Sequence, residues 1–201
     1  MRTTYAKQAQ MGVVELDAIL KEIDSIENER AMVILAASML EYFLAWLIQV
    51  TLENVVLKQF SEDQLNLLYE NYGPLGVFDQ KVKFAFALTL IREEVRDDLD
   101  RIRRMRNFFA HHPGPVSFND NDVIQECANL KMWKFSREDL EERKTAKGQF
   151  RTTVQLTLAL MVVGFSKELE EWAKRFIGPD ALADIPLPKV LPPQFQEPSP
   201  S

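Results

Sequence analysis

Residues 31–52 read AMVILAASMLEYFLAWLIQVTL, a run of apolar side chains about long enough to cross a bilayer. Two readings compete, a membrane span and a buried bundle helix. Glu41 stands at the centre of the run, where a carboxylate costs roughly 2.5–3.5 kcal/mol to insert into lipid. No basic cluster flanks the run. Ala37, Ser38 and Ala45 surround Glu41 with small side chains, which let a neighbouring helix come close. The run therefore reads as the core helix of an all-α bundle, and no membrane association is expected.

Working outward, the periodicity is helical nearly everywhere. Residues 8–22 form a moderate amphipathic helix. Asp24, Ser25 and Glu27 supply cap chemistry before the long helix, placed at 27–57. Ser61 followed three residues later by Gln64 is a capping-box pattern and predicts a short helix to about residue 71. The string Tyr72-Gly73-Pro74-Leu75-Gly76 is a break. Apolar residues recur at helical spacing over 78–90, and a further helix runs from about 92 to 111. Pro113 disfavours helical geometry at His112, which lies at or past that helix's end. Caps at 119–122 begin a helix through 130. Residues 136–147 are strongly charged and read as a solvated helix or loop, and 150–177 as a second long helix. Seven of the ten prolines lie at position 179 or later. The chain thus divides into one helical domain, 1–178, and a Pro-rich tail, 179–201, expected to be extended or disordered.

The 201 residues carry 24 Lys+Arg against 30 Asp+Glu, a net charge of −6. That balance argues against a dominant electrostatic grip on duplex DNA. One cysteine, Cys127, excludes an internal disulfide, and two histidines leave a zinc site poor in ligands. Gly73 and Gly76 fit neither a dinucleotide fingerprint nor a phosphate loop. No cofactor or metal is expected, and the start of the chain has no secretory signal, so a cytoplasmic location is expected.

The informative segment is 78–112, FDQKVKFAFALTLIREEVRDDLDRIRRMRNFFAHH. In its second helix acids come first (Glu93, Glu94, Asp97, Asp98, Asp100) and arginines last (Arg101, Arg103, Arg104, Arg106). This ordering matches the helix dipole and makes the arginines a weak nucleic-acid patch. Asp97, Asp98 and Asp100 point different ways around the helix, so they read as a solvated helix start, not a metal site. Trp133 and Phe135 can stack on a base, but read as core or covering residues.

Arg106 is the exception. It falls within the stripe of Val95, Leu99, Ile102 and Phe109, where a cation needs a partner. Glu41, on a face with Ile34, Ala37, Ala45 and Ile48, is the candidate, and a Glu41–Arg106 pair between helices is expected. Asn107 and His111 share a helical face. Imidazole can shuttle a proton and guanidinium can stabilise a phosphate, so Arg106, Asn107 and His111 are candidate catalytic residues for metal-free RNA cleavage, with His112 able to replace His111. The bland alternative is a polar helix terminus.

Taken in order, Tyr72-Gly-Pro-Leu-Gly76, Phe78-x-x-Lys81-x-Lys83-x-Ala85-x-Ala87-Leu88, Asp98-Leu99 and Arg103-x-x-Arg106-Asn107-x-Phe109-Ala110-His111 resemble the mannitol-operon repressor family, as do Arg30-Ala31 and Leu40-Glu41. The resemblance spans roughly residues 28–130. It implies an all-helical bacterial regulator of transcription without a recognised DNA-binding domain. The Pro-rich tail and the second histidine depart from the pattern, and nothing here identifies mannitol or another sugar. The Arg106-Asn107…His111 string is also similar to the R-x(4–6)-H motif of HEPN domains, which occur in RNA-targeting ribonucleases and in inactive binding versions and work as dimers.

The expectation is a regulator acting through a protein partner, with no specific binding to duplex DNA on its own and with a homodimer allowed. The alternative is an RNA-cleaving or RNA-binding module using Arg106, Asn107 and His111. A third reading is a structural helical adaptor whose tail binds a partner.

Overall fold

The computed structural model describes residues 13–56, 60–70, 73–136 and 144–163. Among these, all regular structure is helical: α1 (Val13–Ser25), α2 (Glu29–Val56), α3 (Glu62–Tyr69), α4 (Phe78–Ala87), α5 (Glu93–His111), α6 (Asn121–Ala128), a 3₁₀ turn (Met132–Phe135) and α7 (Ala146–Val163). The tail 179–201, residues 1–12 and the far end of the last long helix lie outside the described residues.

The centre of the bundle is α2, with α4, α5 and α7 packed around it. By length and composition α2 could cross a membrane. Here its apolar surface meets protein: Met32, Val33, Ala36, Leu40, Leu44, Leu47 and Ile48 are completely buried. Apolar residues on several faces of one helix are what a central position requires, since each face meets a different neighbour. α1 packs on α2 and α7, and α6 and the 3₁₀ turn lie against α5 and α7.

Local chemistry sets the boundaries. Ser61 and Gln64 form the capping box: the Gln64 N–H donates to Ser61 Oγ at 3.3 Å and the Ser61 N–H to Gln64 Oε1 at 2.9 Å. At Gly73 the chain folds back against the end of α3, with the Leu75 N–H donating to the Leu68 carbonyl. A Cβ on Gly73 would lie 2.6 Å from two α3 carbonyl oxygens, so glycine is required by space. α4 ends at Ala87, three residues before the apolar spacing does. Thr89 there has φ 57°, and the N–H groups of Thr89 and Leu90 turn back to the carbonyls of Phe86 and Ala85. Leu90, although buried, therefore belongs to a left-handed helix stop and not to the helix. α6 likewise ends at Ala128, two residues short of the expected 130. α7 begins at Ala146, four residues earlier than expected.

Beyond α5 the loop is bound down at two points. Arg30 of α2 donates through Nη2 to the carbonyls of His112 at 3.1 Å and Gly114 at 2.5 Å. Glu29 accepts the Phe118 N–H at 2.9 Å. The Phe118 ring then sits between Phe109 of α5 and Phe150 of α7, at centroid distances of 5.8 and 5.4 Å. The C-terminal end of α5 is thus fixed relative to α2 and α7.

Candidate functional site

Three helices converge on Glu41. The stripe on α5 is buried as its spacing implies, with Val95, Leu99, Ile102 and Phe109 at most 3% exposed. Arg106 lies in that stripe at its edge, its side chain 29% exposed. Its Nη1 donates to Glu41 Oε2 at 3.1 Å. The guanidinium also lies 6.0 Å from the ring centre of buried Phe78. The structure therefore brings Arg106 and Glu41 together across α2 and α5.

The sequence reasoning missed the third member. Lys81 of α4 donates through Nζ to Glu41 Oε1 at 2.6 Å, and its side chain is only 8% exposed. The signal was available: Phe78, Lys81, Val82 and Ala85 follow helical spacing and are all buried, so Lys81 interrupts the α4 stripe just as Arg106 interrupts that of α5. One half-buried carboxylate thus holds two cations. Alongside runs a second string: Asp79 pairs with Lys83 at 2.7 Å and lies 3.7 Å from Arg103, which also meets Asp100 at 3.4 Å.

Asn107 is adjacent to the first group. Its Oδ1 accepts from Arg106 Nε and Nη2, both at 3.4 Å. His111, the last residue of α5, is exposed. Among the described residues its ring makes no hydrogen bond to Arg106 or Asn107. His112 caps the helix in extended geometry, and its Nδ1 accepts the Gly114 N–H at 3.2 Å. The expected catalytic group is thus only partly assembled: Arg106 meets Asn107, and neither histidine joins them.

The reading of the Asp97–Asp100 region as a solvated helix start is wrong for Asp98. That carboxylate is completely buried. It accepts the Lys131 N–H at 2.8 and 3.0 Å and the Met132 N–H at 2.8 Å, fastening the 3₁₀ turn to α5. Burial pushes its pKa up to about 6, against the N–H groups and the charges of Lys131 and Arg101, which pull it down. Asp97 behaves as a surface acid should: hydrogen bonding to Lys131, then to Arg96, outweighs desolvation and holds its pKa below the ordinary value. Burial drives the Cys127 thiol up to about 12, which leaves it unreactive. Trp133 is partly buried and packs against the core, whereas Phe135 is exposed. Among the described residues no cluster of His, Cys, Asp and Glu is arranged to hold a metal.

A family model described as mannitol repressor, MtlR, matches residues 15–169, well over half of the chain. Among solved structures, a chain of the MtlR–HPr complex from Escherichia coli is similar at 15% identity and a TM-score of 0.49. The likeness covers 79% of this chain and 98% of that one. No curated protein matches the chain.

Proposed function

The chain belongs to the mannitol repressor family, and on that premise we propose that it is a cytoplasmic regulator acting in transcriptional control through contact with another protein. Direct reading of DNA is not part of the proposal. A protein that neutralises six to ten phosphates needs a basic face, and this chain has net charge −6. All five α5 arginines are already paired with acids of this chain: Arg96 with Glu93 and Asp97, Arg101 and Arg104 with Glu126 at 2.9 and 3.6 Å, Arg103 with Asp79 and Asp100, and Arg106 with Glu41. The placement of the histidines is the observation that carries the choice of contact over catalysis: His111 is exposed at the end of α5 and His112 Nδ1 accepts the Gly114 N–H. Arg106 gives one N–H to Glu41, and no imidazole is hydrogen-bonded to the guanidinium among the described residues.

The test combines two measurements on the full-length protein. In a gel shift at physiological salt, the protein alone should show no sequence-specific binding to the DNA upstream of the genes it controls. In cells, its removal should change transcript levels, and cross-linking should recover one stoichiometric protein partner. A nanomolar, sequence-specific shift by the protein alone would overturn the reading.

A further inference from the structure

The group around Glu41 carries more positive than negative charge. Lys81 and Arg106 share one carboxylate, and in the adjoining string Lys83 and Arg103 share Asp79 and Asp100. Glu41 lies closer to buried Lys81, at 2.6 Å, than to Arg106, at 3.1 Å, so the less compensated cation is Arg106, whose side chain is 29% exposed. Donors are left over as well. Lys81 has three N–H bonds and Arg106 five. The contacts to Glu41 are short, whereas those from Arg106 to Asn107 are 3.4 Å long and weak. The Asn107 amide NH₂ has no acceptor among the described residues.

We propose that Arg106 and Asn107, with buried Lys81 holding Glu41 behind them, form an anion site that receives an acidic side chain of a protein partner. The proposal rests on the protein-contact reading above and names the chemistry of the contact. Charge complementarity selects the occupant. A carboxylate would complete the coordination of the second cation, and a planar guanidinium can offer it two parallel donors. In the free protein Glu41 is the internal competitor for the same donors.

That competition gives the test a readout which a purely structural cluster would not move. The full-length protein is titrated calorimetrically with a short peptide carrying Asp and Glu between leucines, and with its Asn/Gln counterpart. The acidic peptide should bind saturably and the amide peptide should not. Arg106→Gln and Lys81→Gln should each weaken binding by roughly tenfold or more, and Glu41→Gln should strengthen it several-fold. Circular dichroism identifies folded variants, and Arg106→Lys, which keeps the charge, should retain part of the binding. Inorganic phosphate should compete with the peptide, as expected for an oxyanion site. Equal binding of acidic and amide peptides, weaker binding by folded Glu41→Gln, or preference for an RNA oligonucleotide over the peptide would overturn the site. The natural partner supplies the separation from the earlier reading. If it binds folded Arg106→Gln and Lys81→Gln at full affinity, this anion site fails while regulation by protein contact stands.

Discussion

Glu41 of α2 holds Lys81 of α4 at 2.6 Å, and the cation it holds is the more buried of the two side chains, 8% exposed against 23%. The second Glu41 oxygen holds Arg106 at 3.1 Å. The three residues are therefore not equivalent in what their removal leaves behind. Glu41→Ala strands a buried ammonium and a guanidinium and should cost roughly 3–5 kcal/mol. Arg106→Ala leaves Glu41 still paired with Lys81 and should cost only about 1.5–3 kcal/mol, the range for one hydrogen bond to a charged group. Urea denaturation of the two variants checks the order. An Arg106→Ala protein less stable than Glu41→Ala would show that Lys81 is not what Glu41 chiefly neutralises.

Asp98 gives stability a particular pH dependence. Its pKa is about 6 in the fold against 3.8 ordinarily, so between those values the folded protein binds more protons than the unfolded chain. Its contribution is fully present below 3.8 and is lost as pH rises through 6. Over about two pH units this amounts to roughly 3 kcal/mol at most. Asp97, with its pKa held below the ordinary value, works in the opposite sense: its contribution is present above that value and lost as pH falls. Comparison with Asp98→Asn isolates the first effect. The stability advantage of the natural protein over the variant should be larger at pH 4.5 than at pH 7.5, measured by urea midpoints at both. An advantage that shrinks on acidification would mean that the N–H groups of Lys131 and Met132 outweigh burial.

Thr89 occupies left-handed backbone at φ 57°, which a β-branched residue adopts at a cost. The position closes α4 and is exposed, so its side chain has little packing to lose. Thr89→Gly should stabilise the protein by about 1 kcal/mol, the relief of backbone strain exceeding the added entropy of an unfolded glycine. Thermal unfolding should shift upward by roughly 2–4 °C. A downward shift would point to an interaction of the threonine side chain that offsets the strain.

What the sequence revealed depended on whether a residue's role lay within one element or between several. The capping box at Ser61 and Gln64 and the buried stripe of α5 were legible because each depends on spacing within a single helix. The partnership of Arg106 with Glu41 could be anticipated because two odd residues stood on two apolar faces. Lys81 stood on a third such face, but lysine can carry its amine along an apolar surface to water, so its position alone was less telling. Asp98 was not legible at all. It looks like one more acid at a helix start, and its role comes from two N–H groups more than thirty residues away. The end of α4 was hidden for a related reason: Leu90 is buried through a turn, and apolar spacing does not distinguish a buried turn residue from a helical one.

His111 separates contact from catalysis. Metal-free cleavage of RNA requires an imidazole held within hydrogen-bond reach of the proton it moves. His111 is exposed at the last turn of α5 and is not hydrogen-bonded to Asn107 or Arg106 among the described residues. His111→Ala should therefore change stability by less than about 1 kcal/mol, as for most exposed positions. The natural protein, incubated with single-stranded RNA and a chelator, should leave the RNA intact. Cleavage that persists in chelator and disappears in a folded His111→Ala variant would overturn this expectation. It would mean that substrate or a second copy of the chain draws the imidazole and Arg106 together, and would make the Arg106-Asn107…His111 string a catalytic motif.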